Sequence, residues 1–570
     1  MKKIEIANVE SLLNLNWDAF QPCYQELLAE TINADTVQAW LADWTQVTEW
    51  CDEMFNRFYA GTTTNTADKL IAERFQDYME NFYPQWQSAE QALKQKLIAS
   101  GLTVAGFDIQ LRNMKADADL FCEANLPLLA EEQQLNNEHD KIIGAQTLTW
   151  DGQERTARQM ELVLRDNDRE TRRRGWEAQA QRQLQDREAI NRQWKQYVDL
   201  RLKLAANAGK PDYRAYRWQF FKRFDYSPAD CKAFHNAIAE VVVPAVARIT
   251  ERRKRALGID NLRYYDVFVD VTGKPPLRPF TDAGDLIRKA SSVFHHVSPH
   301  FGGYFDTMAQ NGLLDLDNRK NKANGAYCTN FAHARLPFIF ANAVGIHEDV
   351  EAVMHEGGHS FHAFESFKLP YFQQINDVPN EFAEVASMGM EKLTSPYLSE
   401  KFGGFYSQQD AARAMSEHLE NDLRFWPYMA IVDAFQHWVY ENPREGREPG
   451  NCDAKWAELE KRFRPEIDWS GYEDVMMTGW QRKDHIHQEP FYYVEYGLAL
   501  LGAVQIWRNA LEDQATAVAR YRQALALGAT APLPQLFETA GAKLAFDAIT
   551  LKDAVDLMEK KIAELDDWMA

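Results

Sequence analysis

The stretch "VMHEGGHSFHAF", Val353–Phe364, sets two histidines four residues apart, with a glutamate directly after the first. On a helix, positions i and i+4 share a face with Cβ atoms about 5–6 Å apart, so His355 and His359 can offer imidazole nitrogens to one ion. Neutral imidazole is a good zinc ligand, and tetrahedral zinc needs more than two ligands. Glu356 projects beside them, where its carboxylate can take a proton from water activated at a metal and later give it to a leaving amine. With 14 His in 570 residues, chance supplies such a motif on the order of a few times in a hundred. The surroundings therefore decide between a metal site and a packed helix with satisfied histidines.

Gly357 and Gly358 each cost about 1 kcal/mol relative to Ala inside a helix. Close approach of another backbone, or of substrate, is the simplest reason for them. His362 continues the i, i+4, i+7 stripe and is read as a wall or supporting residue rather than a ligand. Just upstream, "LPFIFANAVG", Leu336 to Gly345, is a short apolar run between Pro337 and Gly345 and reads as a strand; Asp349 then caps the motif helix. Candidates for a third ligand are Glu365, Asp377, Glu381, Glu384 and Glu391. Glu365 is too close along the same helix to turn back, whereas "PNEFAEVASMGMEKL" reads as a second helix with Glu381, Glu384 and Glu391 on one broad face. Spacing leaves the choice among those three open.

The rest of the chain sets the frame. At 570 residues it exceeds the usual single-core ceiling of about 250–300 residues, so two or more lobes are expected. A hydrophobic fraction of 45% with 26% charged residues is that of an ordered globular protein. The net charge of −21 repels nucleic-acid backbones and anionic membranes, and the basic runs Arg172–Arg174 and Glu251–Arg255 read as solvated helix faces. Six cysteines without C-x-x-C spacing indicate neither a zinc knuckle nor a disulfide framework. No apolar stretch approaches the roughly 20 residues of a membrane span, and the N-terminus lacks a secretory h-region, so a cytoplasmic location is expected. Helical periodicity runs to about Gly209. Breaker residues from Asp270 to Asp285 mark a long loop between lobes.

"HEGGH" followed by "EFAEVASMGME" resembles the M3 metallopeptidases, the thimet oligopeptidase and oligoendopeptidase F family, and in particular its bacterial oligoendopeptidase branch with the Pz-peptidases. That family carries H-E-x-G-H and, about 25 residues later, E-x-x-S-x-x-x-E, which Glu384, Ser387 and Glu391 match. Thermolysin-like zincins place their glutamate nearer, where this chain has Val378 and Pro379. The resemblance thus implies Glu384 as third ligand, with Glu391 orienting a histidine. A second match, "HIHQEPFYYVEYGLALLGAVQIW", His485 to Trp507, implies tyrosines and a histidine that bind the substrate carbonyl and stabilise the oxyanion: Tyr496 first, then Tyr493 and His485, with Tyr492 a rival. The match departs at Leu500, where relatives often have Gln. The similarity is clearest from Asp260 to Trp507, and in the family the strand before the motif helix acts as an edge for extended substrate.

The resemblance implies a mainly α protein: a zincin-type catalytic core with a small β-sheet inside a large two-lobed helical peptidase enclosing a deep channel. Residues 1–210 are expected to form one wall of that channel and residues 211–570 the catalytic region. One Zn2+ per chain is expected on His355, His359 and Glu384, with Glu356 as general base and oligopeptides as substrates. The implied activity is hydrolysis of internal bonds in short unfolded peptides. Its alternatives are a dipeptidyl carboxypeptidase of the same family, which needs a cationic anchor for the substrate carboxylate, and a non-catalytic zinc-containing peptide-binding protein, which needs neither Glu356 nor the tyrosines.

Overall fold

The computed structural model describes residue 4 and residues 6–569; positions 1–3 and 5 of the N-terminus read above for a secretory h-region lie outside them. The chain is mainly α, in two lobes. The helices needed below are α1 (Val37–Thr64), α2 (Tyr83–Ser100), α3 (Arg187–Asn207), α4 (Pro228–Ala237), α5 (His347–Ser366), α6 (Asn380–Thr394), α7 (Gln408–Glu441) and α8 (Val494–Glu512).

Two large apolar cores organise them. The first is N-terminal, drawn from Leu12 to Met114 and rich in tryptophan, with Trp40, Trp44 and Trp86 all buried. One charged group sits inside it, Glu90 on α2, whose carboxylate accepts from Tyr24 at 2.6 Å, Thr48 at 2.7 Å and the Trp44 indole at 2.9 Å. Buried carboxylates persist only when hydrogen-bonded in this way. The second core takes in Ala60, Leu120 and Leu135 and runs from Trp194 and Tyr197 on α3 through α5, α6, α7 and α8 to Leu565. It contains both flanks of the Asp270–Asp285 loop, Ile249 before it and Leu286 after it, so that loop lies within one lobe and not between lobes as expected.

The strands number five among the described residues. A hairpin, β1 (Thr147–Trp150) with β2 (Gln153–Thr156), interrupts the N-terminal helices and was not legible as strand. The other three, β3 (Leu314–Asp317), β4 (Tyr327–Phe331) and β5 (Leu336–Ala343), form a sheet in the order β3-β5-β4, with β3 parallel and β4 antiparallel to β5. β5 is the strand before the motif helix, and it is central. The expected edge role therefore cannot be its own, because both its hydrogen-bonding sides are occupied. β4 takes the outer position instead.

The basic runs also differ from expectation. Arg172 is 2% exposed and pairs with Asp266 at 2.9 Å, and Arg253 is buried with its guanidinium donating to the carbonyls of Asp266 and Val267. Arg173 and Arg252 are ion-paired nearer the surface. Arg172 and Arg253 fasten the segment around Asp266 to their helices; helical periodicity did not show which arginines face inward.

Candidate metal centre and peptide site

α5 leaves the sheet directly. It begins at His347, two residues before Asp349, whose carboxylate accepts the backbone N–H groups of Val344, Gly345 and Ile346 at 2.7–3.0 Å. Asp349 so works as a cap from inside the first turn, where a negative charge also suits the helix dipole.

The two glycines have physical reasons. A Cβ on Gly358 would stand 2.4 Å from the Ala386 carbonyl oxygen and 2.6 Å from the Ser387 Cα, both backbone atoms of α6. A Cβ on Gly357 would meet the Phe294 ring at 2.7 Å. Gly358 thus lets α5 and α6 touch backbone to backbone, which brings α6 carboxylates to the histidines of α5.

At that crossing, Glu384 Oε2 lies 3.5 Å from His355 Nε2 and 3.8 Å from His359 Nε2, and one ligand atom from each residue falls within 4.8 Å of the others. Tetrahedral zinc with bonds near 2.0–2.1 Å separates its ligands by about 3.3 Å, so two imidazoles and a carboxylate at these distances fit the ion. The supporting contacts are in place as well. His355 Nδ1 is 2.6 Å from Glu391 Oε1, and Ser387 Oγ donates to Glu384 Oε2 at 3.0 Å. Carboxylates behind a ligating histidine fix its tautomer and orientation. Glu391 leads on to His418, 3.4 Å away, whose Nδ1 is 2.6 Å from Glu351; nothing in the motif spacing revealed that extension.

Electrostatics follow from burial. Burial pushes the Glu356 carboxyl up, and Glu384 and Glu391 add to this against His355, to about 7. Burial opposes charge on His355, yet the Glu391 bond and carboxylates raise it to about 9. Burial, with His355 beside it, holds His359 well down and neutral. The Cys328 backbone on β4 hydrogen-bonds Glu356, so the outer strand borders the site. His362 is pushed down to about 4 by burial, is 6% exposed, and packs edge-on to Phe382; it faces a wall. The rejected carboxylates are engaged elsewhere: Glu365 pairs with Arg522, and Glu381 accepts from Tyr226.

The tyrosines arrive by a turn rather than on one helix. α8 starts only at Val494, and Phe491 before it has φ 69°, a left-handed conformation that a buried aromatic rarely adopts. The turn brings the Tyr492 hydroxyl to 3.4 Å from Glu384 Oε1 and its ring to 5.3 Å from that of Tyr496. Burial raises both phenols, and each is raised further by Glu384, with Tyr496 reaching about 12. Tyr493 packs instead between Phe425 and Tyr428 with Lys483 over its ring. His485 lies edge-on to Tyr493 at 5.0 Å and 6.0 Å from Tyr496, and burial with Lys483 pushes it down to about 4. Its imidazole is therefore neutral at neutral pH. Leu500 is fully buried in the core.

Between the lobes, a cavity of about 540 Å³ is lined by Thr48, Asp52 and Arg112 on one side and by Phe221, Arg223 and Glu381 on the other. Glu381 lies one turn before Glu384 on α6. Among the described residues no helix is long and apolar enough to cross a membrane, and no disulfide joins any two of the six cysteines.

Comparison with known proteins agrees with this architecture. The sequence profile of Peptidase family M3 matches residues 162–554, and that of the Peptidase M3 N-terminal domain matches residues 12–104. An oligoendopeptidase F homolog of Lactococcus lactis is 23% identical over 336 residues, 57% of this chain and 52% of the relative. One from Borreliella burgdorferi is 24% identical over 344 residues, 59% of this chain and 54% of the relative. The aligned part spans about half the length of these curated relatives. Among solved structures, Pz peptidase A with an inhibitor superposes with a TM-score of 0.85 at 27% identity, covering 100% of this chain and 99% of the other. A structure assigned to oligoendopeptidase F gives 0.86 at 26% identity with the same coverage.

Proposed function

Because the chain belongs to peptidase family M3, we propose that this peptidase is a zinc-dependent oligoendopeptidase, cutting internal bonds of short unfolded peptides in the cytoplasm. The observation that carries the reading is the convergence of His355, His359 and Glu384 at ligand spacing, with the Glu356 carboxyl buried beside them and pushed up to about 7. In this reading residues 211–570 are the catalytic region and residues up to 210 form the facing channel wall, a division supported by the cavity lined from both sides.

His355, His359 and Glu384 would hold one Zn2+, which supplies Lewis acidity: it acidifies water and polarises a carbonyl. Glu391 holds the His355 imidazole, and Ser387 and Tyr492 hold the Glu384 carboxylate. Glu356 takes the proton from the attacking water and gives it to the departing amine. A group poised near 7 can do both at neutral pH. Tyr496, with the neutral His485, donates hydrogen bonds to the oxyanion as it forms. Tyr493 contributes by packing that holds Tyr496 and His485 in place.

The test is an internally quenched peptide of about ten residues, blocked at both ends, given to wild type and Glu356→Gln with bound zinc measured on both. Wild type cuts internally. The variant keeps its zinc and loses roughly 10²–10⁴ in kcat, the usual contribution of a general base. Trimming of an unblocked peptide only would establish the dipeptidyl carboxypeptidase instead, and stoichiometric zinc without cleavage of either would establish a binding protein.

A further inference from the structure

A second set of ligand-type side chains meets far from the motif in sequence, where α4 packs against α7. Cys231 and His235 stand four residues apart on α4, and Asp433 and His437 four apart on α7. Each pair therefore shares a helix face, and the two faces look at one another. One ligand atom each from Cys231, Asp433 and His437 lies within 4.8 Å of the others, and none of the three residues is more than 2% exposed.

Their polar atoms are not all satisfied. His235 Nε2 holds Asp433 Oδ2 at 2.7 Å. His437 Nε2 comes within 3.3 Å of the same oxygen without the alignment of a hydrogen bond, and it and Asp433 Oδ1 are both left without a partner. Orphaned polar atoms in a fully buried cluster call for a missing water or ion.

We propose that Cys231, Asp433 and His437 bind a divalent transition-metal ion, zinc by donor preference, with His235 orienting Asp433. Thiolate, imidazole and carboxylate are all zinc ligand types. One thiolate and one carboxylate neutralise the ion, so the buried site carries no net charge. Without metal, burial and the Asp433 charge hold the Cys231 thiol protonated, so binding releases that proton to solvent. Ligation through His437 Nε2 puts the ring proton on Nδ1, now 3.3 Å from Arg214 Nη1. That costs the hydrogen bond Arg214 donates to Nδ1 and leaves Arg214 its ion pair with Glu441. The ion would pin α4 to α7, and α4 follows the segment Phe221–Tyr226 that lines the inter-lobe cavity.

The experiment uses the full chain, stripped by chelator and titrated with Co2+, reading cobalt per chain and the near-ultraviolet thiolate-to-cobalt band. Ligands of the His/His/Glu type give no such band. Wild type is expected to take up two ions and show the band, Cys231→Ser to lose one ion and the band, and His355→Ala to lose one ion and keep the band. If Cys231→Ser does not fold by circular dichroism, wild type and His355→Ala decide. A single ion without the band in wild type, or a band that survives in folded Cys231→Ser, overturns the proposal and leaves the cluster a water-filled Asp–His network.

Discussion

Glu384 is where sequence spacing alone stopped and geometry goes on. From periodicity, Glu381, Glu384 and Glu391 were equivalent members of one helix face; the crossing of α5 and α6 separates them, with Glu381 on Tyr226, Glu384 at the histidines and Glu391 behind His355. The tyrosines were less legible, because their relative placement depends on the left-handed turn at Phe491, which no i, i+3 or i, i+4 count anticipates. That turn makes a graded expectation. Glu384 raises both Tyr496 and Tyr492, whereas at Tyr493 burial and Tyr428 come first and the ring is packed on Phe425 and Tyr428. Tyr496→Phe should lower kcat by about 10²–10³ with KM little changed, the scale for removing one oxyanion donor. Tyr493→Phe should stay within about tenfold of wild type. Steady-state kinetics on the quenched peptide, with circular dichroism to confirm the fold, reads both; equal losses for the two variants would place the oxyanion elsewhere.

Helix α5 illustrates what an element's sequence can and cannot say. Two adjacent glycines demanded a close neighbour, and that much was readable from propensity; which neighbour was not. Gly358 abuts the α6 backbone, which cannot give way, while Gly357 abuts the Phe294 ring, which can. Gly358→Ala is therefore expected to cost on the order of 1–3 kcal/mol by overpacking and to weaken zinc retention, since the ligands sit on both helices. Gly357→Ala should cost less and keep its zinc, as thermal melts with metal analysis would show. α1 makes a different prediction through charge. Burial pushes Asp52 up to about 7; its bond from Asn56 opposes this, and Glu53 and Glu49 reinforce it. An acid whose folded pKa stands above its unfolded value of about 3.9 favours the fold only while protonated. Its cost is absent below that value, grows as pH rises and is complete above about 7. Asp52→Asn, which keeps an oxygen for Asn56, should thus raise the melting temperature most at about pH 8 and progressively less towards about pH 5. A gain independent of pH would mean that the carboxylate is not the source.

At the scale of the whole molecule, length and composition announced two lobes, but not how they share the work. The N-terminal core closes on its own tryptophans around Glu90, while α3, also N-terminal in sequence, is packed into the second core through Trp194, Tyr197 and Leu204. Apolar periodicity is the same whichever core a helix joins, so only the folded chain shows that division. The arrangement recesses the chemistry: Glu356 and Glu384 are each 8% exposed, and the cavity that reaches the first turn of α6 is walled from both sides. On the proposed function, substrate would then enter as an extended segment, its backbone lying along the outer strand β4 beside Glu356. A folded domain cannot supply this without local unfolding, whose free energy adds to the barrier. A stable disulfide-bonded protein should accordingly remain intact with the enzyme, while a peptide digest of the same protein is cut, both followed by mass spectrometry over the same time. Reduction and alkylation of that protein, which removes its fold but leaves the chain whole, separates two limits. Cleavage after reduction means that the constraint is foldedness alone; persistence of the long unfolded chain beside rapid loss of short peptides means that chain length is limited as well.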